Sequence, residues 1–234
     1  MSTQPSAPSG RLPRWLERLR TIDLLRLAVH VGALLPAVWI LAGWVSGDLT
    51  ANPYQAVEQR TGKVALILLV LSLACSPVNL LFGWRAALRH RRKLGLYAFT
   101  YAGMHLLALV GLDYGFAFRL LRADLTGKPF IWLGAAALLI LAALAATSFP
   151  AWKKRLGKNW KRLHHMAYLV VFLVLIHYAW ALKGNLTALS GDIVQPVAFG
   201  VLAVVLLLLR VPAIKRWIAG RRQAGAGARA GIGN

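Results

Sequence analysis

Apolar residues in this chain come in long blocks rather than at short period. Six blocks approach the roughly 20 apolar residues that a bilayer-spanning helix needs: Ile22–Val45, Lys63–Phe82, Leu94–Leu112, Phe130–Phe149, Leu163–Leu182 and Ile193–Val211. Breaker residues separate them: Gly47, Asn52-Pro53, Gly83, Gly127 with Pro129, Pro150, and Gly184-Asn185. The pattern predicts an all-α, polytopic membrane bundle of six transmembrane helices. Pro36 falls inside the first block and predicts a kink there. The fourth block is rich in small residues, chiefly alanine, and such residues let helices approach closely in a membrane. No internal repeat stands out.

Composition sharpens the picture. Of 234 residues, 58% are hydrophobic and 15% charged, so an ordinary soluble domain and a disordered chain are both excluded. The net charge is nevertheless +21. Of the 28 basic residues, 22 fall in the N-terminal stretch through Arg26, the 83–93 and 151–162 loops and the C-terminal end, with only Glu17 and Asp23 as acids. The intervening segments hold the other 6, with 5 acids. By the positive-inside rule both termini are cytoplasmic. The charge is split among four short segments, so attraction to anionic headgroups explains it and nucleic acid is not an expected partner.

The expected organisation is a cytoplasmic tail over 1–21, a transmembrane domain over 22–212 and a basic, Gly/Ala-rich cytoplasmic tail over 213–234. The polar start, Met1–Gly10, has no apolar stretch directly after it, so no cleavable signal peptide is expected. Cys75 is the only cysteine, which excludes an intrachain disulfide, a CxxCH haem attachment and a cysteine-ligated cluster. It reads as a small buried hydrophobe. No segment is long enough for a soluble flavin or nicotinamide domain.

Ionisable side chains inside spans are costly and usually functional. His90, in the basic loop, reads as solvated, and His30 as a hydrogen-bonded packing residue. His105 and His177 lie deep in two spans that both start on the cytoplasmic side. His105 is about 18 Å past Lys93 and His177 about 22 Å past Arg162, at 1.5 Å per residue. Two neutral imidazoles at matched depth could hold a haem iron from both sides, and without a cysteine tether that haem would be b-type. Singly, each could be a core hydrogen-bonder. His164 lies about 20 Å before His177 on the same helix and suits a second redox site or a haem-edge contact near the inner face. A straight helix would aim the two about 220° apart, so a kink or a non-helical first turn is needed. His165 reads as a bystander. Arg60, Arg91, Arg92 and Arg162 could meet haem propionates or headgroups, or be solvated loop charge. Tryptophans near the span ends fit an interfacial belt.

Four segments carry a family resemblance: Asn52–Leu66 (NPYQAVEQRTGKVAL), Arg91–His105 (RRKLGLYAFTYAGMH), Gly127–Gly134 (GKPFIWLG) and Thr147–Trp180. Together they resemble the haem-binding membrane subunits of periplasmic methionine-sulfoxide reductase systems, among the ferric-reductase-like transmembrane proteins. The resemblance runs from about residue 22 to 185. It implies a six-helix b-type cytochrome of the bacterial inner membrane, with one or two haems. Such a subunit passes electrons to a periplasmic molybdopterin enzyme that reduces methionine sulfoxide, and is not itself the catalytic subunit. Electrons would come from the quinone pool or a cytoplasmic flavin reductase, and FMN is a further implied cofactor. The family's histidines fall on His105, His164 and His177. Where the family has arginine after the first histidine of the fifth helix, this chain has His165. Where the second helix usually ends in a Pro-Leu-Arg-Arg-like turn, it reads SPVNLLFGWR. Fourteen residues before His105 stands Arg91 rather than a second histidine of the third helix. Rival readings are a stand-alone quinol- or ferric-reducing cytochrome, and a haem-free transporter or scaffold with packing histidines.

Overall fold

In a computed structural model, residues 14–182, 194–218 and 220–221 are described, with the backbone alone for 14–23. The described residues are mostly helical, joined by short turns, and none of them is in a strand. The helices are α1 (Arg14–Ser46), α2 (Pro53–Phe82), α3 (Arg85–Leu107), α4 (Phe118–Gly127), α5 (Phe130–Ala146), α6 (Pro150–Leu156), α7 (Lys158–Ala181) and α8 (Val194–Leu208). α1 from Leu24, α2, α3 with its extension to Asp113, and α7 are each long and apolar enough to cross a membrane. Two further spans are complete only if bent pairs count as one: α4 with α5, bent by 111°, and α8 with Pro212–Ile218, bent by 74°. The protein is thus a multi-pass helical membrane protein, with four to six spans.

Local sequence explains the ends. Asn52 caps α2 by accepting from the Gln55 amide, and Pro53 occupies the first turn, where its missing N–H costs nothing. Gly83 ends α2 in the left-handed region, at φ 70°. Several expected spans begin too late. α2 starts at Pro53 rather than Lys63, α3 at Arg85 rather than Leu94, and α7 at Lys158 rather than Leu163. The basic 83–93 stretch is therefore mostly helical, because long basic side chains are good helix formers and need only their heads in water. The expected tail 1–21 is helical from Arg14 onward, and residues 1–13 lie outside the described residues. So do Ile193, at the start of the sixth expected span, and most of the expected tail beyond 218.

Packing is dominated by two helix hairpins, α2 against α3 and α5 against α7. The shared core includes Ala33, Leu66, Leu73, Ala98, Tyr101, Ala137, Leu141, Val170, Val171 and Ala203. α1 and α8 flank this core with exposed apolar faces, among them Leu27, Leu35, Val38, Val201 and Val205, as lipid-facing helices should.

Pro77, inside α2, leaves work for a neighbour. Pro77 has no N–H for the Leu73 carbonyl, and Arg210 donates Nη2 to that oxygen while Nη1 donates to the Tyr168 hydroxyl at 2.6 Å. Beside Pro36, the Tyr101 hydroxyl donates to the Ala33 carbonyl at 2.6 Å. After α3 the helix widens into a π-helical turn, Ala108–Asp113, and closes with Phe116 at φ 60°. A side chain at Gly111 would meet the Phe116 ring at 3.2 Å, so glycine makes room for that closure.

Candidate functional site

His105 and His177 are brought together. Their ring centroids are 6.0 Å apart with the ring planes at 84°. His105 comes from the far end of α3 and His177 from the far end of α7, so the matched depth read from the chain corresponds to real proximity.

Each imidazole is held in the same manner. His105 Nδ1 lies 2.9 Å from the Glu58 carbonyl of α2. His177 Nδ1 lies 2.7 Å from the Phe130 carbonyl of α5. A carbonyl only accepts, so Nδ1 carries the proton in both rings and donates it. Nε2 is then the unprotonated nitrogen, with its lone pair available to a metal. Both rings also lie against a glycine. A Cβ at Gly62 would stand 3.1 Å from His105 Nδ1, and one at Gly134 would stand 2.9 Å from His177 Cε1.

The donor set decides what could sit there. Among the described residues no group of three or more His, Cys, Asp or Glu could hold a bare metal ion. Two imidazoles suffice for a haem, whose ring fills the equatorial positions and leaves the two axial ones. Two imidazoles sharing one metal through bonds of about 2 Å put their ring centres roughly 6 Å apart. The residues present therefore fit a bis-imidazole haem.

The other candidates are dispersed. His164 stacks on Trp160 at 4.1 Å, and its Nε2 is 3.4 Å from the Thr147 hydroxyl. Arg91 lies within electrostatic reach of His164, Cys75 and Arg210. Arg92 is exposed, with its guanidinium 5.2 Å from the Phe149 ring centre. Arg162 is exposed. These groups mark the end of the bundle where α2 and α5 finish and α3 and α7 begin. Arg60 stands at the opposite end, donating to the Leu49 carbonyl at 3.1 Å and lying 4.3 Å over Trp39. It tethers the α1–α2 connection beside a cleft of about 380 Å³ lined by Thr50, Asn52, Gln55 and Gln59.

Two of the remaining histidines differ in outcome. His30 is a packing residue as expected, 2.6 Å from the Tyr97 hydroxyl and 3.0 Å from Lys93 Nζ. His90 is not solvated. It is 5% exposed and its Nδ1 has no hydrogen-bond partner, because helical structure through 85–93 turns it into the bundle. His165 is exposed and stacks on Tyr168, as befits a bystander.

Sequence reasoning missed the two carbonyls and the two glycines. A numerical signal was available. Each histidine follows its carbonyl by 47 residues and its glycine by 43, so the α2–α3 and α5–α7 pairs repeat one local unit at an offset of 72. The repeat is one of backbone geometry and glycine placement, with little residue identity, and so escapes inspection of the text alone.

Residues 61–176 match the family described as ferric reductase like transmembrane component. A protein-methionine-sulfoxide reductase heme-binding subunit, MsrQ, from Rhodospirillum rubrum is 42% identical over 198 residues, 84% of this chain and 92% of the relative. The MsrQ of Cronobacter sakazakii is 37% identical over 85% of this chain and 96% of its own length. That of Pectobacterium atrosepticum is 34% identical over 85% and 97%.

Proposed function

The chain belongs to the MsrQ family of heme-binding subunits, among the ferric-reductase-like transmembrane components, and from that premise we propose that it is a b-type cytochrome of the bacterial inner membrane. The observation that carries the reading is the pair of facing imidazoles, each with Nδ1–H on a main-chain carbonyl and Nε2 left free. His105 and His177 would hold the haem through their Nε2 atoms.

When bound, the haem supplies a one-electron ferric/ferrous couple. The chain's own groups do the rest. The Glu58 and Phe130 carbonyls hold the Nδ1 protons and so fix the tautomer of both ligands. The apolar core around Leu66, Ala98 and Val170 keeps water away, and with it competing proton transfer. The basic end faces the cytoplasm, with both termini there. His164, Arg91 and Arg92 form the inner approach, as a second metal ligand and as partners for propionates, and Arg60 serves the outer side. One or two haems are accommodated in this reading, and FMN is carried on the family resemblance.

Electrons enter from quinol or a cytoplasmic flavin reductase and leave to a periplasmic molybdopterin methionine-sulfoxide reductase, in the repair of oxidised proteins. Support for the partner is the family itself, whose members are named as heme-binding subunits of a protein-methionine-sulfoxide reductase. The test is expression with haem supplied, followed by pyridine haemochrome quantification per polypeptide. A folded protein without a Soret band would return the histidines to a packing role. Purified with its reductase, the reduced protein should be reoxidised by methionine sulfoxide only while that partner is present.

A further inference from the structure

The glycines beside the two histidines have a stereochemical reason. Each follows a histidine-binding carbonyl by four residues in the same helix: Glu58 then Gly62, Phe130 then Gly134. In an α-helix the carbonyl of residue i already accepts the N–H of residue i+4. Its second lone pair can take a further donor. At Phe130 that donor is His177. At Glu58 it is His105 together with the Thr61 hydroxyl at 2.9 Å, which is shared with the Val57 carbonyl at 2.7 Å. Side chains lean towards the helix N-terminus, so a Cβ at i+4 leans over that lone pair. The built positions agree. At Gly62 a Cβ would lie 3.1 Å from His105 Nδ1 and 3.2 Å from Cε1, and at Gly134 it would lie 3.0 Å from His177 Nδ1 and 2.9 Å from Cε1. Any side chain there must displace the ring or lose the bond.

We propose that Gly62 and Gly134 are paired positioning residues for the two imidazoles. By leaving the carbonyl open, each sets the tautomer, the tilt and the basicity of the ring above it. The inference rests on His105 and His177 being axial ligands. Losing the Nδ1–H···O bond makes an imidazole a weaker donor and favours the ferrous state, so the midpoint potential should rise.

The experiment compares Gly62→Ala and Gly134→Ala in the haem-loaded full chain. The readouts are midpoint potential, the low-spin electron paramagnetic resonance signature and haem retention. Both variants should shift the potential upward, change the signature and weaken haem retention by about tenfold or more. Gly134→Ala should do so more strongly, since its contact is closer. Gly32→Ala and Gly103→Ala, where a Cβ meets nothing within 4 Å, should change neither potential nor signature. If an alanine variant does not accumulate, His177→Gly refilled with imidazole or 1-methylimidazole reads the same bond. Only imidazole has an N–H for the Phe130 carbonyl, so it should give the lower potential. Unchanged potential and signature in both alanine variants, or equal potentials with the two imidazoles, overturns the proposal. Haem retained at full occupancy in both His105→Ala and His177→Ala overturns instead the ligand reading beneath it.

Discussion

The two ends of this bundle treat their polar groups differently. Around His105 and His177 every ring has a fixed acceptor, at 2.9 Å and 2.7 Å, and a glycine that leaves it room. At the basic end, buried Asn79 Oδ1, His90 Nδ1, Ser148 Oγ and Arg210 Nε have no hydrogen-bond partner. His164 there stacks on Trp160 and has a 3.4 Å contact to the Thr147 hydroxyl. Buried polar atoms are usually paired, so the first end is preorganised by the protein alone, and the second has capacity left over. A ligand pair whose tautomer is set in advance binds its metal with little rearrangement.

The sharpest way to break this contrast is removal of one histidine at a time. His105→Ala and His177→Ala should each abolish the bis-imidazole haem spectrum. His164→Ala should leave that spectrum in place and alter at most a second component. Equal losses from all three, measured by optical spectra and haem content, would erase the distinction between the ends.

Next in size is Arg210, which braces the basic end. Arg210→Met leaves the Leu73 carbonyl without a donor opposite Pro77, and a charged hydrogen bond is lost. A loss of about 2 kcal/mol is expected, read as a lower midpoint of thermal unfolding in detergent. The His105–His177 spectrum should not change, because the brace lies at the other end. Tyr101→Phe removes one hydroxyl on the Ala33 carbonyl and should cost about 1 kcal/mol in the same assay. Tyr101 stands one turn before His105, so a small spectral change is expected here and none for Arg210→Met.

The smallest effect is expected at the turn before Phe130. Lys128 pairs with Asp124 at 2.5 Å, both half-exposed, and contacts the Tyr114 hydroxyl at 3.3 Å. The Asp124 carboxylate holds the Lys128 ammonium above its ordinary value. Its contribution is therefore complete at neutral pH and is lost as pH rises through that raised value. On the acid side it is lost as pH falls through the Asp124 value, which the same pair holds below the ordinary carboxylate range. Lys128→Met should shift stability less than Tyr101→Phe, and 1 M salt should shrink the difference. A large spectral change would mean that this turn sets the Phe130 carbonyl and hence His177.

Long apolar blocks, breaker residues and the lopsided distribution of Lys and Arg are properties of the chain text, so the helical membrane class and the candidate histidines were legible there. The helix starts were less so. Arg85–Lys93 reads as a basic loop until its packing against α2 makes it helical and turns His90 inward. The Phe130 start of the fourth span was legible, and α5 runs Phe130–Ala146; the helix α4 before it, bent from α5 by 111°, was not.

What the sequence determined by itself is that the chain crosses a membrane and carries two deep histidines, because burial of apolar helices depends on composition along the chain. Only the tertiary structure decided that the two histidines meet, which nitrogen each leaves free, and why Gly62 and Gly134 are glycine. Those facts depend on distances between α2 and α3 and between α5 and α7. Such distances come from helix packing and backbone carbonyls, which every residue carries and no residue letter distinguishes.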